Sequence, residues 1–357
     1  MRYLLILILI GASTLAWSQS PENSSPERPK NIILLIGDGM GMSQVSVSFY
    51  FNENESNFNR FTNIGLIRTS SSAQLITDSA AGATAFASGI KSYNGAIGVN
   101  PKTESVPTIF ELMSKNNYAT GIISTSSVVH ATPAAFYAHV FSRRMYEVIA
   151  ANLAESEVDF IAGGGSKFFN ARTDGKNLYD LFAARDFEIH TESIPETLSG
   201  KKQLIILAED GMPKMIEGRG DFLPKSTDLA IDYLSKNKEG FFLVIEGSQI
   251  DWAGHDNNAD YLIGEQLDFD KTIGVALDFA KENGETLVIV TADHETGGLT
   301  LSADGNDYNK ISPIFSTGGH SATLIPVFTY GPGASSFNGI YENTEIFHKM
   351  MALLNKK

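Results

Sequence analysis

The chain of 357 residues contains no cysteine. Disulfide bonds are therefore excluded, and so is the attachment of a lipid to an N-terminal cysteine. The fold must therefore be stabilised by the packing of its core or by bound metal. The sequence shows no internal repeat and no low-complexity block, and 43% of its residues are hydrophobic. A chain of this length and composition can form one large α/β domain.

The apolar run near the N-terminus, residues 4–10, is too short to span a bilayer. Arg2 precedes it, and small and polar residues around Ser18 follow it. This order is typical of a secretory signal peptide, so we predict residues 1–18 as signal peptide and an exported, periplasmic or secreted protein. Prolines among polar residues predict a flexible lead-in at residues 19–30, and we expect a single folded domain over residues 31–357.

Positive charge is scarce, with 27 Lys and Arg against 41 Asp and Glu and a formal net charge of −14. A surface of this sign repels polyanions, which argues against nucleic-acid binding as the main activity. We therefore expect no dedicated nucleic-acid partner and no membrane partner.

Six short β-branched runs predict strands, and helical stretches lie between many of them. The clearest helix is predicted at residues 259–283, where Asn283 and Gly284 supply a stop signal. Strands that alternate with helices indicate a mainly parallel sheet covered on both faces, that is, a three-layer α/β/α sandwich. The predicted strands are residues 32–36, 118–123, 204–207, 241–245, 286–290 and 325–330.

Three of these strands are followed by an acidic residue: Asp38, Glu246 and Asp293. Ligands bind outside the carboxyl ends of the strands in open α/β sheets, so the three carboxylates should converge. Each could instead cap the helix that follows it. Unpaired buried carboxylates would become protonated, and bound cations are the simplest explanation for a cluster of them.

Three histidines lie in contexts typical of metal ligands. His255 follows Asp251 by four residues, His294 follows Asp293 directly, and His320 lies in the segment TGGHS. Imidazole together with carboxylate suits zinc. A surface histidine is the ordinary alternative for each of them.

A serine precedes a run of small residues in the segment TDSAAGATA, residues 77–85. Ser79 would lie at the start of a closely packed helix, near unpaired backbone N–H groups and the positive end of the helix dipole. That position suits a phosphoryl group. An ordinary helix cap by Asp78 or Ser79 is the alternative on local sequence alone.

Four segments in this order resemble the alkaline phosphatase family, from about residue 31 to the C-terminus. They are NIILLIGDGMG at residues 31–41, DSAA at 78–81, EGSQID at 246–251 with His255 after it, and TADHE at 291–295. The resemblance implies hydrolysis of small-molecule phosphate monoesters through a phosphoserine intermediate on Ser79. It also implies a homodimer.

The resemblance further implies two zinc ions and a third ion, magnesium. The first zinc would be held by Asp251, His255 and His320, and the second by Asp38, Asp293 and His294. Asp38 would also contact the magnesium, which Thr132 and Glu246 complete. Nitrogen and carboxylate ligands suit zinc, and an all-oxygen set suits magnesium.

Arg143 matches the arginine that grips the phosphate in this family, and Asp78 would orient it. A guanidinium fork suits that bidentate task, although Arg144 is the adjacent alternative. His130 stands where a carboxylate is often found near the third metal, and Trp252 stands where a lysine often contacts phosphate indirectly. A nitrogen donor at His130 could favour zinc over magnesium in the third site.

The implied reaction is an in-line displacement in two halves, with activity that rises from about pH 7 towards about pH 9 because metal lowers the pKa of water. A phosphodiesterase, phosphonate hydrolase or sulfatase on the same scaffold is the near alternative, and Thr132, Glu246 and Arg143 favour the monoesterase. A non-catalytic zinc-binding protein is the distant alternative, which has no use for Ser79 or Arg143.

Overall fold

A computed structural model describes residues 28–354 of the chain. The predicted signal peptide and most of the predicted lead-in lie outside the described residues. Among the helices of residues 28–354, none is both long enough and apolar enough to cross a membrane.

The described residues form fourteen strands and eleven α-helices. The strands are β1 Asn31–Gly37, β2 Asn63–Arg68, β3 Ala119–Ser127, β4 Phe160–Gly164, β5 Phe187–His190, β6 Lys202–Ile206, β7 Phe241–Gly247, β8 Thr286–Thr291, β9 Glu295–Thr296, β10 Leu299–Asp304, β11 Asp307–Phe315, β12 His320–Ser321, β13 Ile325–Tyr330 and β14 Gly339–Glu342. The helices are α1 Met42–Tyr50, α2 Ser79–Ser88, α3 Ile109–Lys115, α4 Ala131–Ala134, α5 Tyr146–Glu155, α6 Lys167–Asn170, α7 Leu178–Ala184, α8 Phe222–Leu234, α9 Gln249–His255, α10 Ala259–Asn283 and α11 Thr344–Leu354.

Ten strands form one sheet in the order β14-β2-β13-β8-β1-β7-β3-β4-β6-β5. The neighbours pair in parallel except at β13, which runs antiparallel to both β2 and β8. Two smaller antiparallel pairs, β10 with β11 and β9 with β12, lie outside this sheet. The central strands β1, β7 and β8 are buried along their whole length, as expected for parallel strands covered on both faces.

The helices form two groups, one on each face of the sheet. In one group α10 contacts α1, α8 and α9, and in the other α2 contacts α3, α4 and α11. Two helical layers around a mostly parallel sheet make a three-layer α/β/α sandwich, which confirms the predicted fold class.

The predicted elements correspond to β1, β3, β6, β7, β8, β13 and α10. Helix α10 ends at Asn283, and Gly284 follows with φ of 70°, a left-handed conformation that glycine adopts without strain. Strands β2, β4, β5 and β14 were not predicted from the sequence.

The order of strands decides what meets at the carboxyl edge of the sheet. Strands β8, β1, β7 and β3 are consecutive neighbours, and Ile36 and Ser124 both pair with Glu246. The residues that follow β1 and β8 therefore reach the same place as the end of β7.

Candidate active site

Three carboxylates meet at the carboxyl edge of the central strands. Asp38 follows β1, Glu246 lies near the end of β7, and Asp293 follows β8. All three side chains are completely buried. One oxygen of each, Asp38 Oδ1, Glu246 Oε1 and Asp293 Oδ2, has no hydrogen-bond partner within the part of the chain that the structure describes.

The electrostatics of this cluster suit a bound cation. Burial raises the pKa of each of the three carboxyl groups, and the neighbouring Asp293 raises that of Asp38 further. Buried like charges without partners are costly, and divalent ions would offset that cost. The donor atoms of Asp38, Asp293 and His294 lie within 4.8 Å of one another, as do those of Asp251, His294 and His320.

The two histidines beside Asp251 both direct Nδ1 at a backbone carbonyl. His255 Nδ1 lies 2.8 Å from the carbonyl oxygen of Gly318, and His320 Nδ1 lies 2.9 Å from that of Thr77. A carbonyl only accepts, so each Nδ1 carries a proton, and Nε2 is the nitrogen through which each ring would bind a metal ion. The two Nε2 atoms lie 3.2 Å apart, and 3.4 and 3.5 Å from Asp251 Oδ1.

His294 is held in the same tautomer by Thr296. The Thr296 hydroxyl donates to Asp251 Oδ1 at 2.5 Å, so its oxygen is left to accept from His294 Nδ1 at 3.2 Å. His294 Nε2 then faces Asp293 Oδ2 at 3.2 Å and Asp38 Oδ1 at 3.6 Å. Burial, with His320 adding to it, lowers the pKa of His294 to about 3, so this imidazole is neutral. Such outer hydrogen bonds orient metal ligands, and that of Thr296 was not predicted from the sequence.

Ser79 is the first residue of α2, and its buried Oγ lies 3.3 Å from His294 Nε2. Asp78 caps the helix by accepting a hydrogen bond from the backbone of Ala81 at 3.0 Å. The small residues of α2 allow close packing, because a Cβ at Gly82 would lie 2.9 Å from Asp293 Cβ. Ser79 therefore lies close to Asp293 and His294 at the N-terminus of α2, a position that favours an anion.

Arg143 joins this pocket through Asp78. Its Nη1 donates to Asp78 Oδ2 at 3.1 Å, and its backbone N–H donates to the carbonyl of Gly95 at 2.7 Å. Arg144 is exposed. The structure thus places Arg143 rather than Arg144 next to the serine segment.

His130 has the same tautomer as the other three histidines, but its Nε2 already accepts a hydrogen bond. Arg143 Nη2 lies 3.3 Å from His130 Nε2, and a guanidinium can only donate, so Nε2 accepts and Nδ1 carries the proton. Burial and the charge of Arg143 lower the pKa of His130 to about 3. The ring of Trp252 packs edge-on against it with centroids 5.9 Å apart. His130 is therefore a neutral hydrogen-bonding group with no free lone pair in this arrangement.

Asp38, His130 and Glu246 define a third cluster. Thr132 Oγ1 contacts the other oxygen of Asp38, Oδ2, at 3.4 Å. The donor atoms of Asp38, His130 and Glu246 lie within 4.8 Å of one another. The hydroxyl groups of Ser124 in β3 and of Ser248 donate to Glu246 Oε2. The sequence feature that could have indicated these hydroxyl groups is the run of serine and threonine at the end of β3, residues 124–127.

A buried serine beside converging carboxylates and imidazoles, at the carboxyl edge of an α/β sheet, is typical of a metal-dependent hydrolase. The family model for alkaline phosphatase matches residues 29–316. Alkaline phosphatase 3 of Bacillus subtilis is 32% identical over 96% of this chain and 94% of its own length, and the Escherichia coli enzyme is 32% identical over 97% and 91%. The alkaline phosphatase from the Antarctic bacterium TAB5 is 53% identical, covers 92% of this chain and 99% of its own, and superposes with a TM-score of 0.91.

The chain belongs to the alkaline phosphatase family. It is a metal-dependent phosphomonoesterase, and the general mechanism of the family proceeds through a phosphoserine.

Proposed function

We propose that Ser79 is the nucleophile of this phosphatase and that Arg143 and Asp78 form its phosphate grip. The observation that carries the proposal is the position of Ser79 Oγ, which lies at the N-terminus of α2 and 3.3 Å from His294 Nε2. Backbone N–H groups and the helix dipole favour a phosphoryl group at that position.

Three ions fit the donor atoms of the site. Asp251, His255 and His320 would hold one zinc, and Asp38, Asp293 and His294 a second, because their unprotonated Nε2 atoms and carboxylate oxygens are typical zinc ligands. Bound zinc supplies Lewis-acid stabilisation of the oxygens that enter and leave phosphorus.

Magnesium is the third ion that we propose, held by Asp38, Thr132 and Glu246. The protonated Nδ1 of His130 offers no lone pair, which leaves a set of oxygen ligands that magnesium prefers. A variant of the TAB5 enzyme in which a histidine is replaced by aspartate has magnesium bound in its M3 site.

The residues of the chain then act in two displacements. Ser79 Oγ forms a bond to phosphorus as its proton leaves to solvent, the ester P–O bond breaks, and the alcohol takes up a proton from solvent. Water next attacks phosphorus from the vacated side and the Ser79 Oγ–P bond breaks, which releases inorganic phosphate and restores the hydroxyl. Arg143 binds two phosphate oxygens as a fork throughout, and Asp78 holds the guanidinium in position.

Rates on a monoester and a diester of p-nitrophenol test this proposal. We expect metal-dependent release from p-nitrophenyl phosphate that an EDTA-treated control lacks, and far slower release from bis(p-nitrophenyl) phosphate. Faster hydrolysis of the diester by the same metal-loaded sample would favour a phosphodiesterase instead.

Arg143→Ala and Arg144→Ala separate the two adjacent arginines. Loss of Arg143 is expected to lower kcat/KM by roughly 100-fold, because the guanidinium no longer binds two oxygens of the phosphate. This is the usual effect of losing one preorganised donor. Arg144 is exposed, so its loss should change kcat/KM by less than about threefold. The reverse order of effects would assign the phosphate grip to Arg144.

We further propose a single catalytic domain over residues 31–357, export of the chain by its N-terminal segment, and a homodimer. The dimer is supported by exposed apolar side chains around the segment that carries His320. Leu75 is 85% exposed and precedes Thr77, whose carbonyl binds His320, while Leu324 follows His320 by four residues and is also exposed. Sedimentation of the metal-loaded protein at micromolar concentration tests this, and a monomer there would contradict it.

A further inference from the structure

Three serine hydroxyls surround one oxygen of Glu246. Ser124 Oγ lies 2.5 Å, Ser248 Oγ 2.6 Å and Ser126 Oγ 3.4 Å from Glu246 Oε2. The three serines, which we call the serine cluster, are completely buried, as is Glu246. Buried hydroxyls are costly unless they are hydrogen-bonded, so this concentration of them at one carboxylate calls for a role.

The serine cluster lies at the carboxyl ends of two neighbouring strands, β3 and β7. Ser124 of β3 pairs directly with Glu246 of β7. Ser126 lies two residues after Ser124 on the same face of β3, and Ser248 directly follows β7 as the N-cap residue of α9. The carboxylate and the hydroxyls are therefore brought together by register rather than by a flexible loop.

The direction of the hydrogen bonds follows from counting protons. The backbone N–H of Ser126 donates to Ser124 Oγ and to Ser248 Oγ, at 3.0 Å in both cases. Ser124 Oγ also lies 2.9 Å from Ser248 Oγ and 2.8 Å from Ser126 Oγ. Each serine hydroxyl has a single proton, and for Ser124 and Ser248 the shortest contact is the one to Glu246 Oε2, so we assign both protons to that oxygen. Oε2 is thereby occupied, whereas Oε1 has no hydrogen-bond partner among the described residues.

We propose that the serine cluster makes Glu246 a one-oxygen ligand of the third ion and so sets the preference of that site for magnesium over calcium. The inference rests on the proposed third metal site. Magnesium requires near-octahedral geometry with short bonds, whereas calcium accepts carboxylates that bind through both oxygens. With Oε2 occupied by hydroxyls, Glu246 offers only Oε1, which suits the smaller ion.

Ser124→Ala combined with Ser248→Ala tests the role of the cluster. The other sites are first filled with zinc, and the binding of magnesium and of calcium is then measured by calorimetry. We expect magnesium to bind about 10- to 100-fold more weakly, as is usual when an outer partner of a metal ligand is lost. Calcium should bind as well as before or more tightly, and kcat should recover at saturating magnesium.

Ser226→Ala is the matched control, because Ser226 of α8 is also fully buried and its Oγ has no hydrogen-bond partner in residues 28–354. It should leave the binding of both ions unchanged. Magnesium affinity and magnesium-to-calcium preference equal to those of this control would overturn the inference. If the double variant does not fold, each single variant is expected to show a smaller loss in the same direction, and equality with the control would again contradict it.

Different experimental results would contradict the role of the serine cluster and the proposed function. A metal-dependent monoesterase whose serine variants bind magnesium like the parent protein would overturn the serine inference alone. A parent protein that neither binds magnesium when zinc-loaded nor hydrolyses monoesters would overturn both.

Discussion

Replacement of Ser79 by alanine is expected to lower the turnover of p-nitrophenyl phosphate by roughly 1,000-fold or more, since alanine has no hydroxyl to form the covalent intermediate. The bound metals should remain, because every carboxylate and imidazole of the proposed ligand sets is retained. Turnover and elemental analysis of the same sample check both halves of this prediction.

Ser88→Ala provides the control for Ser79→Ala. Ser88 lies at the other end of the same helix, is buried, and its hydroxyl has no hydrogen-bond partner within the described range. The same substitution there should leave turnover within about twofold, as expected away from special features. Equal losses in the two variants would mean that the helix, not the Ser79 hydroxyl, is being perturbed.

Removal of the metals is expected to lower the melting temperature by about 10 °C or more, because tightly bound ions stabilise only the folded state. The size of this loss should depend on pH. Burial raises the pKa values of Asp38, Glu246 and Asp293 in the metal-free protein. Ions bound to these carboxylates would keep them charged instead.

The sign of the pH dependence follows from proton binding. Above the unfolded pKa of about 4, the metal-free folded state binds more protons than the unfolded state, so its unfolding free energy falls as pH rises through the raised pKa values. Neutral His130 and His294, with pKa values lowered to about 3, act in the opposite direction below about pH 6.5 in both forms of the protein. The contribution of the histidines is therefore the same in both forms and cancels in the difference between their melting temperatures. That difference should widen from pH 5 to pH 8, because the raised carboxyl pKa values destabilise only the metal-free protein.

Asp38→Asn sharpens the test of metal removal. An amide cannot ionise, so the metal-free variant should be more stable than the metal-free parent at pH 8, while it gains less from added zinc. Thermal melts of the parent and the variant, with and without EDTA, measure this. A gap that is independent of pH, or a metal-free variant less stable than its parent, would contradict the account of the carboxylate cluster.

The sequence predicts those parts of the fold and site that depend on local pattern. The runs of β1, β7 and β8 are continuous and apolar, and each leads to an acid, so the approach of Asp38, Glu246 and Asp293 follows from the rule for parallel sheets. Strands β2 and β4 were not predicted because glycines interrupt them. Gly65 of β2 is required by packing, since a Cβ there would lie 2.1 Å from the carbonyl oxygen of Phe337, a contact that the sequence does not reveal.

The outer hydrogen bonds of the site could not be predicted because they depend on tertiary register. Ser124 contacts Glu246 only because β3 pairs with β7, and Thr296 of β9 contacts Asp251 of α9, which lies 45 residues earlier in the chain. The tautomer of His130 likewise depends on the approach of Arg143. Residue types alone leave His130 open as a zinc ligand, whereas its hydrogen bond to Arg143 decides which nitrogen carries the proton.

A trapped phosphoenzyme would show directly whether Ser79 carries the phosphoryl group during turnover. Metal-loaded protein is mixed with a phosphate monoester, quenched in acid, digested and mapped by mass spectrometry. We expect a phosphoryl group on Ser79 that is absent from Ser79→Ala and from the EDTA-treated protein. A phosphoryl group on another residue, or turnover with no labelled peptide under conditions where phosphoserine survives, would contradict it.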